Sequence, residues 1–163
     1  MDVPSEPGLF VDHHGQLHRR PPEVHPTRRR GVHAVLRLAG SILAVRPPGA
    51  AWLELPGGGI EDGETTDQAL SRELAEEAGL RLSPAELRAV REVHFTSRYF
   101  STNNSAYWLY AQTFRLIELD RPPNFGQPLE AGHYHSWLAL ADIAGVPLHH
   151  VHRHGLARLL NGA

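Results

Sequence analysis

Glu73, Glu76 and Glu77 stand at i, i+3 and i+4 in the chain. On a helix, with about 100° of rotation per residue, this spacing crowds three carboxylates onto one stripe. Like charges so placed destabilise a helix by about a few tenths of a kcal/mol per pair. A compensating cation is therefore required. Arg72, four residues before Glu76, is one, but a single guanidinium cannot neutralise three carboxylates. A hard divalent cation with a preference for oxygen is the natural partner. Magnesium in particular binds through a few carboxylates together with substrate phosphates, which points to phosphate chemistry. Just upstream, Gly57-Gly58-Gly59 lets backbone come close to metal or phosphate without Cβ obstruction.

The elements that position these groups can be read outward from the stripe. Thr65 begins the helix as a capping box, its hydroxyl accepting the Gln68 N–H while the Gln68 side chain reaches back. Leu70, Leu74 and Ala78 recur every four residues and define the buried face, from which the carboxylates turn away. Gly79 follows where a left-handed cap is needed. Upstream, Val32–Leu38 and Ser41–Arg46 read as strands meeting at Ala39-Gly40, with a short strand at Trp52–Leu55, and Pro56–Gly59 breaks regular structure. Downstream, Ser83-Pro84-Ala85-Glu86 opens a second, shorter helix. Val90–Phe100 and Ala106–Ile117 form two long strands, Tyr134–Leu138 a short one, and His150–Leu160 a final helix. The mixture of strands and helices predicts an α/β (α+β) fold, a mixed sheet flanked by helices.

Between Gly58 and Leu80 the chain carries Gly58, Glu64, Arg72, Glu73, Leu74, Glu76, Glu77, Gly79 and Leu80. This set matches the pattern G-x5-E-x7-R-E-U-x-E-E-x-G-U, with U a bulky aliphatic residue, and so resembles the Nudix hydrolase family. The likeness extends upstream through Leu55-Pro56-Gly57 and downstream to Trp137-Leu138, covering about Val32 to Leu138. It implies an α/β/α sandwich and a Mg²⁺-dependent pyrophosphatase (Mn²⁺ able to substitute) that cleaves nucleoside diphosphates linked to another moiety. Carried over by position, Glu73, Glu76, Glu77 and the Gly57 carbonyl are expected metal ligands. Arg72 orients the carboxylates and Glu64 lies beside them. Glu73, Glu92 and Glu130 stay open as the general base. The strand after the box lacks the proline common in ADP-ribose enzymes, and the motifs of coenzyme A and NADH enzymes are missing. A nucleoside triphosphate or dinucleoside polyphosphate is thus the expected substrate, with ADP-ribose or another sugar nucleotide as the alternative. A catalytically silent nucleotide-sensing module is the reading from another class.

Arg46, Gly58 and Tyr99 are the candidates for substrate contact. Arg46 could equally be an ordinary surface arginine. Tyr99, Tyr107, Trp108 and Tyr110 could stack on a base or simply pair across strands. Arg28-Arg29-Arg30 could reach a phosphate but reads rather as a solvated charge run, and the His149–His154 cluster as a polar helix end rather than a zinc site.

The 163 residues suit one catalytic domain, 31–163, preceded by a proline-rich arm, 1–30, with a hairpin of Leu9–Val11 and Gln16–His18. The arm is expected to pack against the domain or across a homodimer partner, taking Phe10 out of solvent. A net charge of −2 argues against bulk nucleic-acid binding. The chain has no cysteine, no apolar run of the ~20 residues that cross a bilayer, and an acidic start unlike a signal peptide. A soluble, cytoplasmic protein acting on a nucleotide-like small molecule is the expectation.

Overall fold

In the computed structural model, which describes residues 3–162, the first regular element is the expected hairpin. β1 (Leu9–Val11) pairs antiparallel with β2 (Leu17–Arg19). Asp12 ties the turn: one carboxylate oxygen accepts the N–H groups of His14 and Gln16, and the other lies 2.8 Å from His18 Nε2. Met1 and Asp2, which open the acidic terminus, lie outside the described residues.

β3 (Thr27–Leu38) and β4 (Ser41–Arg46) meet at Ala39 and Gly40, both left-handed with φ of 47° and 81°. Such two-residue turns match the twist of antiparallel strands. β3 starts five residues earlier than its apolar pattern indicates, so Arg28, Arg29 and Arg30 are strand residues paired with a later strand. Trp52–Leu55 is reduced to two single bridges, Val45 to Glu54 and Leu53 to Leu148. Conversely, the glycines expected to break structure form β5 (Gly57–Gly59), antiparallel to β3. β4 pairs only with the last two residues of β3, which leaves the remaining edge open for β5.

α1 (Thr66–Ala78) has the full Thr65–Gln68 capping box and ends at Gly79 with φ of 63°. The shorter helix expected at Ser83 does not form. Ser83 and Glu86 exchange their capping hydrogen bonds around one turn, and the chain then leaves for the sheet. A cap without a following apolar repeat cannot propagate, because helix nucleation is costly. β6 (Arg91–Ser101), β7 (Ala106–Glu118), β8 (Tyr134–Ala139), a 3-10 turn at Leu140–Gly145 and α2 (His150–Asn161) complete the chain.

The sheet order is β2-β1-β6-β7-β3-β4-β8, with β5 added to β3. β1–β6 and β3–β7 are parallel and the other pairings antiparallel, so the sheet is mixed as expected. Alternate residues of β3 and β4 serve two cores. Val32, Ala34, Leu36, Leu43 and Val45 meet Leu70, Leu74 and Ala78 of α1. Val35, Ile42 and Ala44 meet Leu156 and Leu159 of α2 on the opposite face. Among the described residues no helix is long and apolar enough to cross a membrane.

Phe10 and Val11 are fully buried, and Phe10 meets the Tyr107 ring edge-on at 5.1 Å. The hairpin therefore packs on the rest of this chain. Phe10→Ala is expected to cost about 3–5 kcal/mol. Thermal denaturation should show Tm lower by about 6 °C or more; an unchanged Tm would mean that the hairpin adds nothing to the fold.

Candidate active site

The box residues converge on the outer edge of β5. Backbone bonds from Ala34 N–H to Pro56 O and from Ile60 N–H to Arg30 O bracket the β3–β5 pairing. Hydrogen bonds alternate along an antiparallel pair, so the peptide groups of Gly57 and Gly59 turn away from β3. The Gly57 N–H donates to Glu77 at 3.1 Å, and the Gly59 carbonyl accepts from Arg72 at 2.9 Å. The Gly57 carbonyl lies on this same outward side. Gly57 has φ of 139°, a conformation that L side chains rarely adopt, and a Cβ on it would strike the Val32 carbonyl. A Cβ on Gly58 would collide with the Glu73 carboxylate. Gly57 needs glycine because the β3 backbone leaves its Cβ no room, and Gly58 leaves space for the Glu73 carboxylate.

Arg72 is the hub. It donates to Glu64 at 2.8 and 3.0 Å, to Glu73 at 2.9 Å and to Glu76 at 3.2 Å. Hydrogen bonds from Arg72 pull the Glu64 carboxyl down to about 2. The stripe is not exposed, contrary to the helix-wheel expectation. Glu77 is only 8% exposed, while Glu73 and Glu76 are half-buried. β5 covers Glu73 and Glu77, and the sequence pattern of one helix carries no information on a neighbouring strand. Burial pushes the Glu77 carboxyl well up, and the Glu73 charge adds to it; burial also pushes Glu73 up, against Arg72.

Of the three general-base candidates, two face this site. Glu130 is carried there by a loop whose backbone docks on α1, its N–H donating to Glu76 O at 3.0 Å, and its charge acts on Glu73 and Glu77. Glu92 is elsewhere, paired at 2.7 Å with Arg115, which also holds Asp67. Arg46 is exposed at the end of β4, one residue beyond the Val45–Glu54 bridge. Tyr99 lies on the α2 side of the sheet, its hydroxyl 3.3 Å from His149 Nε2.

Two features escaped the sequence reading. Glu54 is half-buried, accepts from Trp52 Nε1 at 2.8 Å, and its charge acts on Glu77, Tyr99 and Tyr110; burial pushes its carboxyl up. An acid between Leu53 and Leu55, just before the glycines, was the available signal. The histidines are the second. His149 and His152 are buried rather than part of a polar helix end. Their rings stack at 4.3 Å, and His152 lies 4.2 Å from His33. His152, Leu156 and Leu159, at i, i+4 and i+7, already define an inward stripe. Burial holds His33 down to about 4 and His149 down to about 3, with neighbouring imidazoles adding to the effect on His149.

Comparison with known proteins agrees with this geometry. The family model described as NUDIX domain matches residues 27–159, and the chain belongs to that family. The RNA pyrophosphohydrolase of Pseudoalteromonas translucida is 35% identical over 85 residues, covering 52% of this chain and 41% of that protein. A MutT-like protein of Streptomyces ambofaciens is 39% identical over 69 residues, covering 42% and 44%. The matched segments thus span less than half of either relative. Among solved structures, the MutT NUDIX hydrolase from Burkholderia pseudomallei has a TM-score of 0.58 at 27% identity, covering 82% of this chain and 98% of that one. The bifunctional NMN adenylyltransferase/ADP ribose pyrophosphatase from Francisella tularensis reaches 0.63 at 23%, covering 84% and 42%, and shares the fold.

Proposed function

We propose that this chain hydrolyses a pyrophosphate linkage in a nucleotide-like substrate with the help of a divalent cation, magnesium foremost. The carrying observation is the gathering of Glu64, Glu73 and Glu76 around Arg72 at the edge of Gly57–Gly59, with Glu77 beside them on the Gly57 N–H, more negative charge than one guanidinium neutralises. The RNA pyrophosphohydrolase relative supports the reaction class by its name.

The donor set fits a hard cation: three carboxylates and the outward Gly57 carbonyl, all oxygen. As arranged, no three acidic or histidine side chains among the described residues converge closely enough to hold an ion. Arg72 explains this. It draws Glu73 and Glu76 to itself as an internal counter-ion, and Glu77 is held by the Gly57 N–H. Glu73, Glu76 and Glu77 would take the cation by turning from these partners, with Arg72 keeping Glu64 and the Gly59 carbonyl. The bound cation would polarise phosphoryl oxygens and lower the pKa of water. Glu73 or Glu130 then accepts the proton of the attacking water, since both face the site and Glu92 does not. Nucleoside triphosphates and dinucleoside polyphosphates are the leading substrates.

Incubation with ATP, GTP, diadenosine tetraphosphate and ADP-ribose, read by chromatography of the products, tests the reading. Turnover should require magnesium, vanish with excess chelator and rise towards mildly alkaline pH. The pH dependence follows from the attacking water, which must lose a proton; the upward push of burial on the Glu73 and Glu77 carboxyls works in the same direction. Full turnover in chelator would overturn the metal role, and binding without turnover would leave a sensing module.

A further inference from the structure

We propose that Arg29 is a specificity-determining residue that binds a phosphate group beyond the two flanking the cut, favouring substrates with three or more phosphates. The inference rests on the hydrolase reading above.

Along β3 the three arginines alternate between faces. Arg29 lies on the α2 side, in register with Tyr110 and diagonal to Trp108 on β7. Its guanidinium carbon stands 4.3 Å from the centre of the Trp108 ring. Its Nη2 is 3.3 Å from where a Cβ of Gly59 would be. Gly59 in turn gives its carbonyl to Arg72, which holds Glu73. Arg29 is therefore joined to the carboxylate edge through one residue of β5, close to the cluster yet outside it.

Three physical points turn this placement into a binding role. Stacking on an indole fixes the guanidinium plane while leaving its N–H edge free. No carboxylate pairs with Arg29 among the described residues, because the nearby glutamates are engaged by Arg72 and by the Gly57 N–H. An oriented guanidinium without a carboxylate partner suits the tetrahedral oxygens of a phosphate, which it can grip with two parallel hydrogen bonds. A substrate with two phosphates has both at the carboxylate cluster, and only a longer chain extends to Arg29. The stacked arginine also covers one face of Trp108, so that face is closed to a nucleobase.

The test compares kcat/KM for ATP and diadenosine tetraphosphate with that for ADP-ribose in wild type, Arg29→Gln, Arg29→Lys and Trp108→Leu. In Arg29→Gln the ratio of either polyphosphate to ADP-ribose should fall about tenfold to a hundredfold, the range of a charge-assisted hydrogen bond. Arg29→Lys should fall less, keeping charge without the fork, and Trp108→Leu should fall by loosening the guanidinium. An unchanged ratio in Arg29→Gln overturns the proposal. Calorimetric titration in saturating magnesium, where the cation seats two phosphates at the carboxylates, with inorganic tripolyphosphate and with pyrophosphate gives a separate reading. Wild type should prefer tripolyphosphate and Arg29→Gln should not; equal preference in both counts against Arg29. If wild type hydrolyses none of the three substrates, the hydrolase reading fails, and this titration still decides on Arg29.

Discussion

Replacing Glu76 or Glu77 with glutamine is expected to lower turnover by about a hundredfold or more while the fold stays intact. Groups that merely orient a metal ligand are worth about 10–100-fold in affinity or activity, so loss of a charged ligand should cost at least as much. The fold should survive because glutamine keeps the shape and, at position 77, an oxygen able to accept the Gly57 N–H. Without metal, Glu77→Gln should even stabilise the chain at neutral pH. Glu77 is a buried carboxylate beside Glu73, and burial has pushed it well up. A gain of about 1 kcal/mol would appear as a Tm higher by about 2–4 °C. Steady-state kinetics with magnesium and melting curves in chelator measure the two effects. Near-wild-type turnover in either variant would remove the carboxylates from the chemistry.

Acidification in saturating magnesium should destabilise the folded chain steeply between about pH 6.5 and 4. His33, His149 and His152 are all buried, and all three are held below the ordinary imidazole value. The unfolded chain therefore takes up protons that the folded chain refuses. The stability these groups contribute is present above the unfolded value, near 6.5, and is lost as pH falls towards the folded values. His33 and His149 each cost about 2 kcal/mol by pH 5, roughly 4 kcal/mol together, and His152 adds to this in the same direction, a large share of the stability of an ordinary domain. Glu54, Glu73 and Glu77 have the opposite sign. Their folded carboxyls are raised, so acid relieves a penalty that is present only at higher pH. A cation holding Glu73 and Glu77 ionised removes that compensation. The loss on acidification should consequently be greater in magnesium than in chelator. Denaturant midpoints across this pH range, with and without magnesium, give the comparison. A profile that is flat in magnesium would show that these histidines titrate as if exposed.

Much of the site was legible because its logic is local. The capping box at Thr65, the stop at Gly79 and the i, i+3, i+4 spacing of Glu73, Glu76 and Glu77 are all settled within one helix, where neighbours in sequence are neighbours in space. The two-residue turn at Ala39-Gly40 and the hairpin around Asp12 are equally local. Only the tertiary structure decided what each local unit meets. β5 arises from glycines with no strand propensity, because β4 leaves an edge of β3 open where the β3 backbone has no room for a Cβ on Gly57, and β5 then lies against Glu73 and Glu77 of α1. That contact turns a seemingly exposed acidic stripe into a buried one. It also gives Arg72 the Gly59 carbonyl, which lies 13 residues away in the chain. Local pattern hints that Glu54 and His152 turn inward, but Glu54 and Glu130 reach Glu77, and His33 reaches His152, from distant segments, so no spacing in the sequence announces what they meet. Glu92 shows the converse: a plausible carboxylate by type is claimed by Arg115 across the β6–β7 pair, since strand register, rather than residue identity, chooses its neighbour.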